Sequence, residues 1–161
     1  LGLPYPGGPN LEKLARGGDA KKYAFPSKFN RQAHFQFSFS GLKTALITLL
    51  RKLESGGAPF GKADIAAAFQ DAVVKTLCEK AVRAAQAAAV DTVALCGGVS
   101  ANGVLRARFR EACAREGLTF CVPDLELCTD NAAMIASAGF YRLMRGKTAG
   151  LALNAVPGLR L

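Results

Sequence analysis

The chain has 161 residues, half of them hydrophobic, which suffices for one well-packed domain or for one lobe of a larger protein. Its formal net charge of +9 indicates an anionic partner, and nucleic acid, an acidic protein surface and anionic lipid all fit that description. No apolar run approaches the length of a bilayer span and no charged-then-apolar leader is present, so we expect a soluble protein with no membrane partner.

Residues 1–31 are rich in glycine and proline and carry more basic than acidic side chains. They begin at Leu1 with L-G-L-P-Y-P-G-G-P and without a methionine, so we expect a fragment whose missing part is N-terminal. A short helix fits residues 11–16, but the segment is predicted mainly to connect other elements at the surface. Residues 32–161 are predicted to form one lobe.

Alternation of period two in A-H-F-Q-F-S-F-S predicts a half-buried strand over residues 33–40. Leucines at helical spacing then predict a helix over residues 42–53. At this junction, the stretch F-S-F-S-G-L-K-T places Ser38, Ser40 and Lys43 around a glycine, where they suit an anion or a ribose. The commoner interpretation is a polar strand end followed by an ordinary surface lysine.

A long helix is predicted next, from a cap at Asp64 to Ala89, with apolar residues in steps of four and a small-residue face suited to close packing. The continuous apolar run at residues 92–96 predicts a strand that is buried on both faces. A helix, a strand and a last helix are then predicted over residues 101–116, 119–122 and 131–145. This alternation indicates the α/β class with a mostly parallel sheet.

The stretch C-G-G-V-S-A-N-G-V-L-R sets Gly97 and Gly98 at the end of that strand, just before a helix. Free backbone amides, the helix dipole and the missing Cβ atoms favour the close approach of a phosphate or an acyl group. The spacing matches neither the P-loop nor G-x-G-x-x-G. An ordinary tight turn with Ser100 or Asn102 as the helix cap is an equally good interpretation.

Asp130, in C-T-D-N-A-A-M-I-A, stands in front of the last helix, where an aspartate most often caps backbone amides. The alternative roles are a metal ligand or a substrate contact. One carboxylate cannot hold a divalent ion, however, and no His or Cys partner stands nearby at ligand spacing.

The single histidine and the five cysteines exclude several other classes of site. His34 falls on the polar face of its predicted strand, and one histidine in that position cannot build a Ser-His-Asp or Cys-His set. The cysteines are odd in number and include no C-x-x-C pair, which favours reduced thiols over a disulfide framework or a zinc knuckle. We therefore expect a cytoplasmic protein.

Five motifs follow one another over nearly the whole chain: P-Y-P-G-G-P, F-S-F-S-G-L-K-T, D-I-A-A-A-F-Q, G-G-V-S-A-N-x-x-L-R and C-T-D-N-A-A-M-I-A. In this order and approximate spacing they resemble the C-terminal half of the TsaD family, formerly called the glycoprotease family. The resemblance implies one lobe of a two-lobed fold of the actin, Hsp70 and sugar-kinase type (ASKHA). It also implies transfer of threonylcarbamoyl from threonylcarbamoyl-AMP to N6 of the adenosine at tRNA position 37, in tRNAs that read codons starting with A.

Carried over motif by motif, the resemblance also implies roles for individual residues. Gly8 and Asn102 are expected to contact the adenylate substrate. Gly97 and Gly98 are expected to provide bare backbone against which that substrate lies.

The same resemblance makes Asp130 the protein's carboxylate ligand to one divalent metal ion, iron or zinc. It gives Ser40 and Lys43 no firmer role than lining the cleft. The family's H-x-x-x-H pair, which provides the histidine ligands, is absent from this sequence, and so is its acidic D-K site. We therefore expect this fragment alone neither to bind metal tightly nor to catalyse the transfer.

The partners that the resemblance implies are tRNA, threonylcarbamoyl-AMP and, in bacteria, the proteins TsaB and TsaE. Two rival functions stay open at this point. One is a non-catalytic paralogue that scaffolds the same tRNA-modification complex, although the motifs around Asn102 and Asp130 are intact here. The other is an ATPase or kinase of the same superfamily.

Two surfaces of the chain are expected to meet partners. Four arginines on one helix suit tRNA phosphates or, equally well, a solvated basic face: Arg106, Arg108, Arg110 and Arg115. The apolar side chains of the last helix are expected to face solvent or a second copy of the chain: Ile135, Phe140 and Leu143.

Overall fold

In the computed structural model, residues 1–26 and 34–158 are described, and they form five α-helices and one small sheet. The helices are α1 Gly7–Ala15, α2 Ser40–Ser55, α3 Lys62–Ala87, α4 Gly103–Arg115 and α5 Ala132–Met144. The strands are β1 Thr92–Ala94 and β2 Thr119–Cys121, and short 3-10 helices lie at Gly98–Ala101 and Leu125–Leu127. The helices predicted from the sequence in these regions are confirmed, with ends that differ by a few residues.

The two strands pair in parallel, with Val93 opposite Phe120, and α4 connects them. This βαβ unit confirms the prediction of an α/β fold with a parallel sheet flanked by helices. The prediction that the first strand is buried on both faces is wrong, because Val93 is buried whereas Thr92 and Ala94 are exposed. The described helices cover only the face that carries Val93, so the side chains that alternate with it stay in solvent.

Helix α3 is the centre of the packing, since it contacts α1, α2, α4 and β1. On one side it meets α4 and the sheet in the main core, where Phe109 is 3% exposed and stacks on Phe120 with ring centroids 5.7 Å apart. On the other side Ala66 and Ala67 pack against Ala15 of α1. The small-residue face predicted for this helix therefore does receive a closely packed neighbour. The boundary predicted between residues 31 and 32 lies outside the described residues.

The strand predicted over residues 33–40 is wrong for the part that the structure describes. Residues 34–39 belong to no sheet, Ser40 already begins α2, and Ala33 lies outside the described residues. The only sheet among the described residues pairs β1 with β2, so this segment has no neighbouring strand there to exchange backbone hydrogen bonds with.

Contacts with α3 hold this segment where a strand was expected. Lys80 has a fully buried side chain, and its Nζ donates to the backbone carbonyl of Gln36 at 2.6 Å. One helical turn further on, the guanidinium of Arg83 lies over the Phe35 ring, 5.9 Å from its centroid. Phe35 and the backbone of Gln36 thus contact a helix, while residues 34–37 remain exposed.

The prediction that Asp64 caps α3 is also wrong, because the helix begins at Lys62 and its N-cap residue is Gly61. The Asp64 carboxylate instead accepts hydrogen bonds from the backbone N–H of Asp19 at 2.9 Å and from Nζ of Lys22 at 2.6 Å. The hydrogen bond from Lys22 lowers the pKa of Asp64, and the same bond raises the pKa of Lys22. Asp64 therefore ties the chain that follows α1 to the start of α3.

Helix α5 differs from the others in burying none of its residues. Ile135, Phe140 and Leu143 are 66%, 57% and 61% exposed, so within this chain they lack burial, as expected for side chains that face either solvent or a second copy. In the described ranges, no helix combines the length and the apolar character that a bilayer crossing requires.

Candidate functional site

The residues predicted to form a site line two separate cavities, except for Ser40 and Lys43, which line neither. Gly8 and Asn102 line a first cavity of 220 Å³ between α1, α3 and the start of α4. Gly97, Gly98 and Asp130 line a second, open cavity of 820 Å³ beyond the ends of the strands. The 3-10 turn Gly98–Ala101, of which only Ser100 is buried, contributes Gly98 to the second cavity and Val99 to the first.

Asn102 is the N-cap of α4, so the interpretation of this turn as a capped helix start is confirmed. Its Oδ1 accepts the backbone N–H of Leu105 at 2.8 Å, and its Nδ2 donates to Oε1 of Gln70 at 3.0 Å. These two bonds fix which end of the amide is oxygen and which is nitrogen. The capping role does not exclude a ligand role, because Asn102 is only half-buried and its amide has a second N–H.

The other candidate for that cap, Ser100, has a fully buried side chain whose Oγ has no hydrogen-bond partner in the described part of the chain. The backbone of Ser100, in contrast, is hydrogen-bonded within the turn. Ser100 N–H donates to the carbonyl of Gly97 at 2.9 Å, which closes the turn that separates the two cavities.

Glu12 supports the first cavity from outside its lining, although no motif in the sequence singled it out. Its Oε1 accepts the backbone N–H of Gly103 at 3.0 Å, so a carboxylate from α1 satisfies a free amide in the first turn of α4. This bond holds α1, which begins within the P-G-G-P motif, next to the start of α4. The two partners lie far apart in sequence, and no local pattern links them.

The second cavity begins at a backbone that only glycine adopts readily. Gly97 has φ of +85°, and a Cβ built on Gly97 or Gly98 would meet no atom within 4 Å. The space above these two residues is therefore open to a ligand. Side chains at both positions would occupy that space, and at Gly97 a side chain would also strain the backbone.

Asp130 also lines this cavity, and its side chain is exposed. The interpretation of Asp130 as the cap of the last helix is wrong, because Asn131 takes that position and accepts the N–H of Met134 at 2.9 Å. The Asp130 carboxylate is thus free of capping. Within residues 1–26 and 34–158, no three His, Cys, Asp or Glu side chains come together in a way that would hold a metal ion. These residues alone do not fit a metal centre.

Arg106, one of the arginines on the arginine-rich helix, is half-buried and turns part of its guanidinium toward the protein. Its Nε donates to the carbonyl of Ser100 at 2.6 Å. One terminal nitrogen donates to the carbonyl of Pro123 at 2.6 Å and to Sγ of Cys128 at 2.9 Å. A guanidinium engaged in this way faces the protein. On the same helix, Arg108 pairs with Asp71 at 2.8 Å.

Ser40 and Lys43 are both exposed and line neither cavity. Ser40 Oγ lies 3.2 Å from Ser38 Oγ in the first turn of α2, and the carbonyl of Ser40 accepts Oγ1 of Thr44 at 3.0 Å. The structure therefore does not bring this motif together with the other predicted site residues.

The fold and the cavities define a class before any comparison. A parallel βαβ unit carries a bare glycine turn after its first strand, and a half-buried asparagine caps the helix beside one of two cavities. This arrangement places the chain in the α/β class, whose members commonly bind ligands at the carboxyl ends of their strands.

Comparison with known proteins names the family. The family model described as TsaD: tRNA N6-adenosine threonylcarbamoyltransferase matches residues 1–137, and the chain belongs to this family. The resemblance drawn from the five motifs is thereby confirmed, and the α/β architecture agrees with an ASKHA-type lobe.

Three relatives, each named tRNA N6-adenosine threonylcarbamoyltransferase, align with all 161 residues. The proteins of Caldicellulosiruptor saccharolyticus and Moorella thermoacetica are 45% and 47% identical to the chain, which covers 47% of each. The protein of Thermosipho africanus is 44% identical, and the chain covers 48% of it. The chain thus spans about half the length of the curated relatives it matches.

Proposed function

We propose that the chain is the C-terminal part of a tRNA N6-adenosine threonylcarbamoyltransferase, and that it supplies one wall of the substrate cleft. Membership of the family supports this proposal, and so do the relatives of that name, which align with the whole chain. The observation that carries it is the first cavity, where Gly8 and a rigidly oriented Asn102 lie together although they are far apart in sequence.

In this proposal Asn102 contacts the adenylate of threonylcarbamoyl-AMP as a hydrogen-bond donor. Leu105 uses the amide oxygen and Gln70 one amide hydrogen, which leaves the second hydrogen for the substrate. Gly8 lies on α1 across the cavity, and a Cβ added to it would meet no atom within 4 Å. A flat or bulky group can therefore approach that backbone.

The reaction is an acyl transfer from a mixed anhydride. The N6 nitrogen of adenosine attacks the carbamoyl carbon, the new C–N bond forms, the bond from that carbon to the phosphate oxygen breaks, and N6 loses a proton. AMP is a good leaving group, whereas an aromatic amine is a poor nucleophile, so correct placement of the two reactants supplies much of the rate. The open second cavity, with bare backbone at Gly97 and Gly98, suits the acyl or phosphate end of the substrate.

Asp130 is proposed as one carboxylate ligand to an iron or zinc ion in the full-length protein. The described residues provide no companion ligands, so the remaining donors would have to come from elsewhere, and we derive no step through the ion. Ser40 and Lys43 line neither cavity. Their proposed role is therefore limited to lining the cleft where the N-terminal half of the full-length protein meets this chain.

The proposed partners are tRNA and, in a bacterial cytoplasm, the proteins TsaB and TsaE. The net charge of +9 supports a polyanionic partner. Exposed Arg110 on α4 is better suited to a phosphate contact than Arg106, which donates from Nε and one terminal nitrogen to groups within the protein.

The test is Asn102→Asp in the full-length protein, assayed for transfer of labelled threonylcarbamoyl to tRNA. Aspartate retains the oxygen that caps α4 but loses the N–H donor, so we expect kcat/KM to fall about tenfold to a hundredfold with the fold intact. Asn154→Asp is the matched control, since Asn154 is exposed, lines neither cavity and also accepts a backbone N–H, that of Ala155. Unchanged kcat/KM in Asn102→Asp would contradict the substrate role. A full-length protein that transfers nothing to tRNA would contradict the function itself.

A further inference from the structure

The wall of the second cavity that carries Asp130 has very little packing of its own. Between residues 124 and 131, Cys128 is the only buried residue, at 3% exposure. The 3-10 helix Leu125–Leu127 buries no residue, and neither does α5, which follows. Hydrophobic burial therefore cannot by itself explain how this loop keeps a defined position against the glycine turn.

Arg106 connects this loop to the rest of the lobe. It lies in the first turn of α4, whose Leu105 and Phe109 are anchored in the main core at 1% and 3% exposure. Its guanidinium donates to Ser100 on the glycine-turn side of the cavity, and to Pro123 and Cys128 on the loop side. One side chain thus bonds to both walls of the cavity.

An arginine is suited to this task for geometric reasons. Its planar guanidinium presents several N–H donors in a fixed fork, so it can bond to acceptors on two backbone segments at once. The acceptors here are two carbonyl oxygens and one sulfur, at 2.6, 2.6 and 2.9 Å. A lysine ammonium at the end of a flexible stem cannot reproduce that geometry, although it retains the charge.

We propose that Arg106 is a positioning residue that holds the loop of residues 123–130 against the turn of residues 97–101, and so fixes Asp130 across from Gly97 and Gly98. The proposal rests on the proposed function in treating the second cavity as part of the substrate cleft. It assigns Arg106 and Cys128 no contact with the substrate. Cys128 acts as the buried anchor of the loop, also bonded through Sγ to the carbonyl of Asp124 at 3.4 Å.

The decisive measurement is amide hydrogen exchange, read by mass spectrometry, in the full-length protein with Arg106→Lys. We expect exchange in residues 123–131 and 97–101 to become about tenfold to a hundredfold faster, because charge-assisted hydrogen bonds of this kind contribute strongly to local stability. Exchange in α3 should stay as it was. Arg110→Lys is the matched control, with the same substitution on the same helix at an exposed position, and it should change neither segment.

Unchanged exchange of both segments in Arg106→Lys would overturn the proposal. A general acceleration that includes α3 would also overturn it, since Arg106 would then support the whole fold and not this cavity in particular. Neither result depends on whether the protein modifies tRNA, so failure of this proposal can be told apart from failure of the proposed function.

Cys128 provides a second, milder test from the other end of the bond. Cys128→Ala removes the sulfur acceptor and should accelerate exchange in residues 123–131 while leaving 97–101 protected, because the bond from Arg106 to Ser100 is retained. Cys128→Ser keeps an acceptor and should restore much of the protection. If Cys128→Ala leaves residues 123–131 as protected as before, the proposed anchoring of the loop is wrong.

Activity separates positioning from direct contact. With Arg106→Lys we expect kcat/KM for transfer to fall about tenfold or more, together with the faster exchange. A loss of activity with unchanged exchange would mean that Arg106 contacts the substrate, and the positioning role would be wrong.

Discussion

Helices α3 and α5 are both rich in alanine and large apolar side chains, yet α3 buries ten of its residues and α5 buries none. The difference lies in their neighbours. α3 packs against α1, α2, α4 and β1, whereas α5 makes no comparably extensive contact with any described element. Apolar periodicity therefore shows that a segment is helical, but whether that helix is held in place depends on surfaces that the segment does not encode.

The largest effect on the free energy of unfolding is expected when an aromatic residue of the core is replaced, and an aromatic residue of α5 provides the comparison. Phe109→Ala should lower the free energy of unfolding by about 3–5 kcal/mol, because it leaves a cavity against Phe120 and α3. Phe140→Ala on α5 should change it by less than about 0.5 kcal/mol, since Phe140 is 57% exposed. Urea denaturation of the chain, followed by circular dichroism, gives both values. Similar losses from the two variants would show that α5 is packed.

A second prediction concerns the close contact between the chain after α1 and α3. A Cβ at Gly18 would collide with the backbone of Ala63, so Gly18→Ala should destabilise the protein by about 1–3 kcal/mol. Gly17→Ala is the matched control, because a Cβ there meets no atom within 4 Å. The two denaturation midpoints, measured side by side, test whether this contact is as tight as the structure has it. Equal midpoints would contradict it.

A third prediction concerns pH and the bond between Lys22 and Asp64. Since the pKa of Asp64 is lowered in the folded state, its stabilising effect is complete above the pKa of an unfolded aspartate and is lost as the pH falls through the lowered value. The pKa of Lys22 is raised, so its effect is present below the unfolded lysine pKa and is lost as the pH rises through the raised value.

Asp64→Asn should therefore flatten both the acid and the alkaline edge of a plot of denaturation midpoint against pH. The effect should be small, because Lys22 is well exposed and solvent screens the pair. Asp124→Asn, at an exposed carboxylate, serves as the control. A plot for Asp64→Asn that coincides with the parent's would show that the pair contributes nothing.

The last prediction requires no substitution, because the native cysteine thiols serve as probes of burial. Cys96 and Cys121 are exposed, whereas Cys78, Cys113 and Cys128 are buried. Burial also raises the pKa of Cys78 and Cys113, which lowers their thiolate fraction further. In this chain, Ellman's reagent should label two thiols rapidly and the other three only after denaturation. Rapid labelling of a third thiol would reveal that the core or the loop at Cys128 opens readily.

Much of the fold could be predicted because its signals are local. Helical spacing located α3, α4 and α5, and the short apolar runs located β1 and β2. The strand predicted over residues 33–40 failed because alternation fixes which side chains share a face, but not whether a neighbouring strand exists. Gln36 and Phe35 contact α3 through Lys80 and Arg83, which the alternation could not indicate.

In the candidate site, the contacts that could not be predicted from the sequence join residues that are far apart along the chain. The capping asparagine was a local inference and proved correct at Asn102. The capping role expected of Asp130 went to its neighbour Asn131, a difference that depends on backbone angles and not on residue type. The bond from Glu12 to Gly103 and the reach of Arg106 to Pro123 join remote segments, so only the folded chain reveals them.

The side-chain amide of Asn102 both accepts and donates a hydrogen bond, which restricts the residues that can replace it. A replacement there must offer an acceptor short enough to close the first turn of α4 and, on the same branched end, a nitrogen that donates to Gln70. Aspartate meets the first demand and glutamine the second, but a single substitution to either cannot meet both. Aspartate at this position should therefore keep the fold but lose the donor, and a residue without a short acceptor should also weaken the start of α4, even though the side chain is only half-buried.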